Sequence, residues 1–492
     1  MTGSNAADYL LERGADEAVA VVDGGRHHTY ADLRLAAGRV AAGLADLDLP
    51  PGARVGVLGA NSLFWAAAYL ATIKLDLVAV PFSDRLTRDD VTRNARLVGL
   101  DAVCADRRLL RRFEGAFGAD LPVLTDEVLA GPRAPHWPES AGDPDRDAVL
   151  MFTSGSTATP RAVRVTHRNL RANTDSIVDY LGLRPDDRAL VVLPFSYCYG
   201  ASLLHTHLRV GARLVLCHSF VYPETAIELL DREGCTVLAG VPSSFQLLLR
   251  ASTFATRPLP SLRLVQQAGG QLSPVLIEEL RAAQPGARLF VMYGATEATA
   301  RLSYLPPDRL DDKLGSVGRG IPGVELRVLD GEGRPVPPGE RGEIYARGEN
   351  ISPGYLDDPE ATAAKFTADG LRTGDVAVVD DEGFVFIVDR VDDFIKSWGH
   401  RISSHEVEAC ALRLDGLVSA AAVGVPDDEA GEAVALFVTL RPGAELTPDD
   451  VLAHMRAQLP KHMVPRSVLV LDALPLNVNG KTAKASLREM AS

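Results

Sequence analysis

The chain has 492 residues, 46% hydrophobic and 24% charged, with a formal net charge of −14. This is enough apolar material for a large core and more than one domain, and an acidic balance without any Lys/Arg block interleaved with aromatics excludes a nucleic-acid-binding surface. Cys104, Cys198, Cys217, Cys235 and Cys410 show no paired spacing, which excludes a disulfide framework or a cysteine metal cage and fits a reducing cytoplasm.

At the N-terminus, Met1–Asp8 lacks a basic region followed by an apolar core, and the apolar run Trp65–Val80 is cut by Lys74 and Asp76. Neither an export signal nor a membrane span is expected. From Thr29 to Tyr293, short apolar runs alternate with amphipathic stretches. Arg54–Gly59, Leu77–Pro81, Ala189–Leu193, Ala212–Cys217, Thr236–Ala239, Leu262–Gln267 and Leu289–Met292 read as buried strands. Tyr30–Leu47, Arg168–Leu181, Pro223–Arg232, Pro242–Ala251 and Pro274–Ala283 read as helices. Such alternation predicts an α/β fold of parallel sheets covered by helices. The densest basic patch, Arg107, Arg108, Arg111 and Arg112, reads as a solvated helix face.

After Gly315 the texture changes to Gly/Pro-punctuated short runs, Glu325–Leu329, Gly342–Ala346 and Phe384–Val388, which predict a small β-rich subdomain. A second shift follows Asp389. We therefore expect a large domain over residues 1–388 and a small α+β domain over 389–492, the latter with helices Ser404–Leu414 and Thr447–Leu459 and strands Ala420–Val425, Ala433–Leu440 and Ser467–Leu471.

The segment Phe152-Thr-Ser-Gly-Ser-Thr-Ala-Thr-Pro-Arg161 packs hydroxyls and a glycine into a turn between the apolar run Ala148–Phe152 and a helix-like stretch. Consecutive backbone N–H groups and hydroxyls of this kind cradle a phosphate, and Arg161 adds charge. Pro160-Arg161-Ala162 cannot supply the Gly-Lys-Ser/Thr of a kinase-like P-loop, and no Gly-x-Gly-x-x-Gly follows the early strand, so neither that class nor hydride transfer fits. Four further segments carry polar groups suited to nucleotide chemistry: Tyr293-Gly-Ala-Thr-Glu297, Arg372-Thr-Gly-Asp375 at a tight turn, Asp389-Arg-Val-Asp-Asp393 running into Ile395-Lys-Ser-Trp-Gly-His-Arg401, and Pro475-Leu-Asn-Val-Asn-Gly-Lys481. Arginine so outnumbers lysine that Lys74, Lys313, Lys365, Lys396, Lys461, Lys481 and Lys484 are the full set of lysines, each held where arginine would do if charge alone sufficed.

In this order and spacing the five segments resemble the adenylate-forming superfamily, the AMP-forming acyl- and aryl-CoA synthetases and adenylation domains, from about Thr29 to Lys484. The resemblance implies a ligase using ATP and Mg²⁺: a carboxylate attacks the α-phosphorus, pyrophosphate leaves, and a phosphopantetheine thiol of coenzyme A or a free-standing carrier protein takes the acyl group. It implies that Thr153, Ser154, Gly155, Ser156, Thr157 and Arg161 hold the β- and γ-phosphates. Thr296 would meet the α-phosphate and Glu297 the Mg²⁺; Gly269, Gly270 and Gln271 would wall the adenine, with Tyr293 beside the nucleotide. Asp375 would hold the ribose hydroxyls with Arg390 beside it, and Lys481 would bridge the acid and the α-phosphate. It further implies that the small domain turns about Asp392 after adenylation, so that Lys396, Gly399 and Arg401 line a thiol tunnel.

By the same alignment Cys198 stands where α-amino-acid enzymes carry an amine-binding aspartate, and Tyr197 where many aryl-acid ligases carry a histidine. Tyr197, Cys198, Tyr199, Phe245, Gly294 and Ala295 are thus the expected pocket of an uncharged acyl or aryl acid. Two departures stand out: Ala158-Thr-Pro-Arg161 replaces the usual Gly-x-Pro-Lys, and Asp389 replaces a glycine before the arginine. Capture of the adenylate by a nitrogen nucleophile and a catalytically impaired nucleotide-binding pseudoenzyme are the competing readings. A homodimer is compatible with all of them.

Overall fold

The architecture comes from a computed structural model that describes residues 5–118, 120–131, 134–140, 142–153, 160–391, 393–427, 429–441, 443–477 and 480–491. Among the described residues four sheets form. In a nine-stranded sheet Arg319–Gly320, Ser303–Leu305, Arg288–Tyr293, Leu264–Gln267, Val237–Gly240, Arg188–Val191, Arg213–Leu216, Val19–Asp23 and Arg26–Thr29 lie side by side. Its six central strands run parallel, and the hairpin Val19–Asp23/Arg26–Thr29 and the pair at the other end close it antiparallel. A six-stranded sheet follows the order Val123–Thr125, Ala102–Ala105, Arg54–Leu58, Val78–Phe82, Asp147–Phe152, Ala162–Thr166, parallel except for the last strand.

Both large sheets owe their near-continuous apolar strands to helices on their faces. Alternate residues of the nine-stranded sheet enter different cores: Leu264, Ala239, Phe290 and Met292 join the largest apolar cluster, whereas Val265, Leu238, Leu289 and Val291 join the cluster on the opposite face. The helices start where sequence chemistry allows it. Thr29 and Asp32 form a reciprocal capping box before Tyr30–Ala45, Thr166 and Asn169 another before His167–Leu181, and proline opens Pro223–Arg232, Pro242–Ala251 and Pro274–Ala283.

An antiparallel sheet of Glu325–Leu329, Arg341–Arg347, Gly370–Val379, Phe366–Thr367 and Val385–Arg390 makes the expected β-rich subdomain. The last sheet uses only residues beyond 394: Leu417–Asp427 and Gly431–Leu440 form a long hairpin, Ser467–Val470 joins it in parallel, and Ile395–Ser397 with His400–Ile402 adds a short edge. Ser404–Ala411 and Pro448–Gln458 cover it, within a residue or a turn of expectation.

Three readings change. The stretch after the phosphate loop is the strand Ala162–Thr166, antiparallel to Asp147–Phe152, and the helix begins only at His167. Arg372–Asp375 is no isolated turn: it lies inside the ten-residue strand Gly370–Val379, where the pairing register shifts and Gly374 takes a φ of 83°. The apolar run from Trp65 is the buried helix Leu63–Lys74, whose Lys74 Nζ pairs with Asp8 at 2.5 Å. Among the described residues no helix is long and apolar enough to cross a membrane. Of the basic patch, Arg107 and Arg108 lie on the short helix Arg107–Leu110 while Arg111 and Arg112 follow it; all four are exposed, with Arg107 paired to Glu127 and Arg112 bonded to the carbonyls of Asp84 and Leu86.

Candidate active site

The candidate site forms where the carboxyl ends of the parallel strands of the nine-stranded sheet meet the β-rich subdomain and the C-terminal tail. This is the edge at which α/β sheets ordinarily hold ligands. The strand Arg288–Tyr293 delivers Tyr293, and the short 3-10 turn Thr296–Ala298 after it delivers Thr296 and Glu297. Gly294 is required there because an added Cβ would lie 2.0 Å from the carbonyl oxygen of Ala300.

On the nucleotide side the charges are paired with one another. The Tyr293 hydroxyl donates to Asp375 Oδ2, and Arg390 Nε lies 3.3 Å from Asp375 Oδ1. Residues 375 and 390 are direct register partners across two antiparallel strands, so the pairing is built into the sheet. Burial first, and then the Asp375 charge, drives the Tyr293 hydroxyl far above its ordinary range, so it is a donor at every physiological pH. Glu297 is held by the Tyr355 hydroxyl at 2.7 Å, and its backbone carbonyl accepts from Ser352 N at 2.9 Å. Among the described residues no cluster of three or more His, Cys, Asp or Glu side chains could cage a metal ion.

The phosphate loop closes through Thr153, whose N–H donates to the Arg161 carbonyl at 2.9 Å and whose hydroxyl accepts from Arg161 N at 3.3 Å. Ser154, Gly155, Ser156, Thr157 and the departing Ala158 lie outside the described residues. Arg161 itself is engaged: its Nε is 3.2 Å from Asp358 Oδ2, and its guanidinium lies 5.5 Å above the Tyr355 ring. Tyr355 thus connects the arginine that departs from the usual pattern to the carboxylate proposed for the metal.

On the acid side Lys481 enters from the tail. Its carbonyl accepts from Asn477 N at 2.8 Å and its N–H donates to Asn477 Oδ1 at 3.0 Å, while Ser243 donates to the Gly480 carbonyl at 2.6 Å. Lys481 Nζ stands 5.7 Å from the centre of the Tyr197 ring. Gly269, at φ 86°, could carry no Cβ: one would lie 2.9 Å from Val241 Cγ1, 3.3 Å from the Tyr197 hydroxyl and 3.6 Å from Lys481 Cε. Gly270 and Gln271 lie exposed beside it, with the Gly270 carbonyl fixed by Gln267 Nε2 at 2.7 Å. Burial lowers the pKa of Lys481, offset in part by Cys198, Asp375 and Glu297.

Tyr197 caps the helix Cys198–Val210, which buries Cys198 and Tyr199. The Thr296 hydroxyl reaches Cys198 Sγ at 3.5 Å, joining the turn Thr296–Ala298 to the helix Cys198–Val210. Burial raises the Cys198 thiol above its ordinary pKa, which keeps it neutral and apolar in character. Phe245 departs from the pocket expectation: it packs against Gly240 in the cluster on the opposite face of the sheet. Gly294 and Ala295 remain partly open beside Thr296.

Farther away, Asp392 lies outside the described residues, and Lys396, Gly399 and Arg401 stand exposed on the hairpin Ile395–Ser397/His400–Ile402. Asp389, which stands where the family has glycine, is fully buried and accepts from Ser404 N at 2.6 Å and Ser404 Oγ at 3.1 Å. Two residues had no assigned part. Lys365 donates to the Thr373 carbonyl at 2.7 Å, beside Glu297 and Asp375, with its pKa lowered chiefly by burial. The shortage of lysine pointed to it without separating it from Lys74 or Lys313. Arg301 lies fully buried behind the acid side. Its place directly after Tyr293–Glu297 was the only available signal.

Comparison with known proteins gives the family. The AMP-binding enzyme family matches residues 11–356, and the AMP-binding enzyme C-terminal domain matches residues 406–481. A feruloyl-CoA synthase from Amycolatopsis sp. is 32% identical over 97% of this chain and 96% of its own length. A 2-succinylbenzoate–CoA ligase from Bacillus pumilus (strain SAFR-032) is 31% identical, covering 98% and 97%. Among solved structures, ATP-bound MatB from Rhodopseudomonas palustris superposes with a TM-score of 0.91 at 28% identity, covering 99% of both chains. The chain belongs to the AMP-binding enzyme family. It is an AMP-forming ligase of the adenylate-forming superfamily that its motifs resemble.

Proposed function

We propose that this protein adenylates an acyl or aryl carboxylic acid with ATP and Mg²⁺ and then passes the acyl group to the thiol of coenzyme A, releasing AMP. The observation that carries this reading is the placement of Lys481. Its ammonium stands against Tyr197 and Gly269 on the acid side, within electrostatic reach of Asp375, Arg390 and Glu297 on the nucleotide side. A cation there neutralises the charge that builds as a carboxylate oxygen approaches the α-phosphorus, which is the largest electrostatic demand of the step. Asp375 and Arg390 hold the ribose, Thr296 the α-phosphate, and Glu297 the metal. Mg²⁺, when bound, supplies charge neutralisation on the phosphate oxygens.

The acid side lacks a carboxylate for an α-ammonium, since Cys198 occupies that place as a neutral thiol. The names of the feruloyl-CoA and 2-succinylbenzoate relatives support an acyl or aryl acid and coenzyme A as the acceptor. The second half-reaction needs Lys481 to leave. We assign the part of the chain after Asp392, the hinge, as the moving unit, with Asp389 and Arg390 staying in the strand Val385–Arg390. Its turn would break the Ser243–Gly480 bond and the 3.6 Å Arg441–Glu279 pair, and bring the exposed Lys396–Arg401 hairpin to the site.

The test is acid-dependent exchange of labelled pyrophosphate into ATP across fatty, aryl and amino acids, beside Lys481→Ala. Exchange with one acid class, lost in the variant, is expected, followed by thioester formation with coenzyme A. Transfer to a carrier protein or an amine in preference to coenzyme A would redirect the second step. Silence with every acid would overturn the first.

A further inference from the structure

Lys365 is the last residue of the short helix Pro359–Lys365, and that helix is fixed against the candidate site. Asp358 caps it by accepting from Ala361 N at 3.0 Å, and the Thr362 hydroxyl accepts from Tyr355 N at 3.0 Å. The ring of Phe366, next in the chain, meets Tyr355 edge-on with centroids 5.6 Å apart. Tyr355 is the residue whose hydroxyl holds Glu297, so the helix end is placed beside that carboxylate. Lys365 Nζ points inward from there and donates to the Thr373 carbonyl at 2.7 Å.

An ammonium keeps further donors beyond that bond, and none of the ion pairs among the described residues gives this one a carboxylate. Its charged surroundings are Glu297, Arg390, Asp375 and Glu343. Each of these carboxylates is already engaged: Glu297 by Tyr355, Asp375 by Tyr293 and Arg390, and Glu343 by Arg372 at 2.9 Å. A Cβ on Gly374, whose φ is 83°, would lie 3.7 Å from Lys365 Nζ and 3.9 Å from Arg390 Nη2. Two cations therefore close on one point that glycine leaves empty. Asp375 is paired with the arginine, so a further anion is what would balance the lysine and relieve the repulsion between the two.

On the proposed reading Asp375 takes the ribose and Glu297 the metal, so the phosphates of bound ATP run between them, past this point. Arg161, the cation of the phosphate loop, is drawn off to Asp358 at 3.2 Å, the residue that caps the helix of Lys365. We propose that Lys365 donates its ammonium to the polyphosphate of ATP, between the ribose and the metal, and balances the charge that gathers on the leaving pyrophosphate. This deepens the adenylation reading and rests on it for the pose of the nucleotide. It also gives a use to a lysine kept in a chain where arginine is the rule, since a compact ammonium can serve the Thr373 carbonyl and a phosphate oxygen from one atom.

The experiment measures the Kd of ATP and of AMP by calorimetry, with Mg²⁺ present, on the full chain as wild type, Lys365→Gln, Lys365→Met and Lys365→Arg, with Tm as a check on folding. AMP lacks the β- and γ-phosphates and so reports the rest of the nucleotide. Lys365→Gln keeps a donor for the Thr373 carbonyl and removes the charge; Lys365→Met keeps only the stem. Both neutral variants should weaken ATP about 10- to 100-fold and AMP about threefold or less, and Lys365→Arg should keep part of the preference for ATP. Equal weakening of ATP and AMP, as from a merely structural role, overturns the inference, and so does ATP binding that none of the variants changes. Pyrophosphate exchange separates this inference from the reading beneath it. Exchange in the wild type with ATP binding that ignores Lys365 sinks the inference alone. Lys365-dependent ATP binding without exchange for any acid upholds the contact and sinks the adenylation reading instead.

Discussion

The two ends of the site solve opposite electrostatic problems. At the nucleotide end every charge already has a partner: Asp375 has Tyr293 and Arg390, Glu297 has Tyr355, and Arg161 has Asp358. Lys481 and the buried Arg301 instead stand over aromatic rings, Tyr197 and Tyr199, and neither has an ion-paired carboxylate among the described residues. On the proposed reading, the nucleotide end is organised before its ligand arrives. On the same reading, the acid end keeps the Lys481 ammonium for its ligand to complete.

The sharpest way to break this comparison is to empty the acid end. Lys481→Ala should lower acid-dependent pyrophosphate exchange by about 100- to 1,000-fold, and a change of less than tenfold would show that the ammonium is dispensable. The same lysine sets the pH behaviour. Burial holds its pKa below the ordinary lysine value, so the charged form is full at low pH and is lost as pH rises through that lowered value. The alkaline limb of kcat/KM for ATP should therefore fall below the ordinary lysine range and vanish in Lys481→Arg, which stays charged. A limb at the same pH in both proteins would assign it to another group.

Removing a partner at the nucleotide end should cost less, because the remaining groups there still hold ATP. Asp375→Ala should raise the KM for ATP by about 10- to 100-fold through lost charge-assisted hydrogen bonds, with KM for the acid moving little. An equal rise in both constants would mean that the two ends are not separate. Tyr355→Phe removes one hydrogen bond to Glu297 and should reduce exchange about three- to tenfold, with a matching increase in the Mg²⁺ needed for half-maximal rate. Arg161→Lys is the mildest. The 3.2 Å pair with Asp358 is solvent-accessible, so KM for ATP should change by about threefold or less. A larger shift would give the arginine a part in γ-phosphate handling that its present contacts do not require.

Much of the fold was legible because it follows short-range rules. The strands read at Arg54–Gly59, Leu77–Pro81 and from Ala189 to Met292, and the proline-opened helices, came within a residue or two, since apolar runs and N1 prolines encode them locally, whereas the short parallel strands Ala102–Ala105 and Val123–Thr125 went unread. The helix Leu63–Lys74 went unrecognised because it is apolar all round, which removes the amphipathic period on which such a reading depends. The strand Ala162–Thr166 was missed because its partner Asp147–Phe152 sits across the phosphate loop, and only pairing made it a strand.

The lysines draw the same line. Sequence alone determined that few positions keep lysine and that five polar segments stand in the order of an adenylate-forming enzyme, because those motifs are contiguous and their chemistry is local. Tertiary structure decided which lysines matter where. It spends Lys74 on Asp8, Lys313 on Asp380 and Glu382, and Lys484 on Glu408, and leaves Lys481 against an aromatic ring. It also turned Arg301 from an unremarked residue after Glu297 into a buried cation against Tyr199, with no ion-paired carboxylate among the described residues. Burial and pairing depend on what the chain brings together from far away, here residues 173, 199, 202 and 350 around position 301, and no window of sequence contains that information.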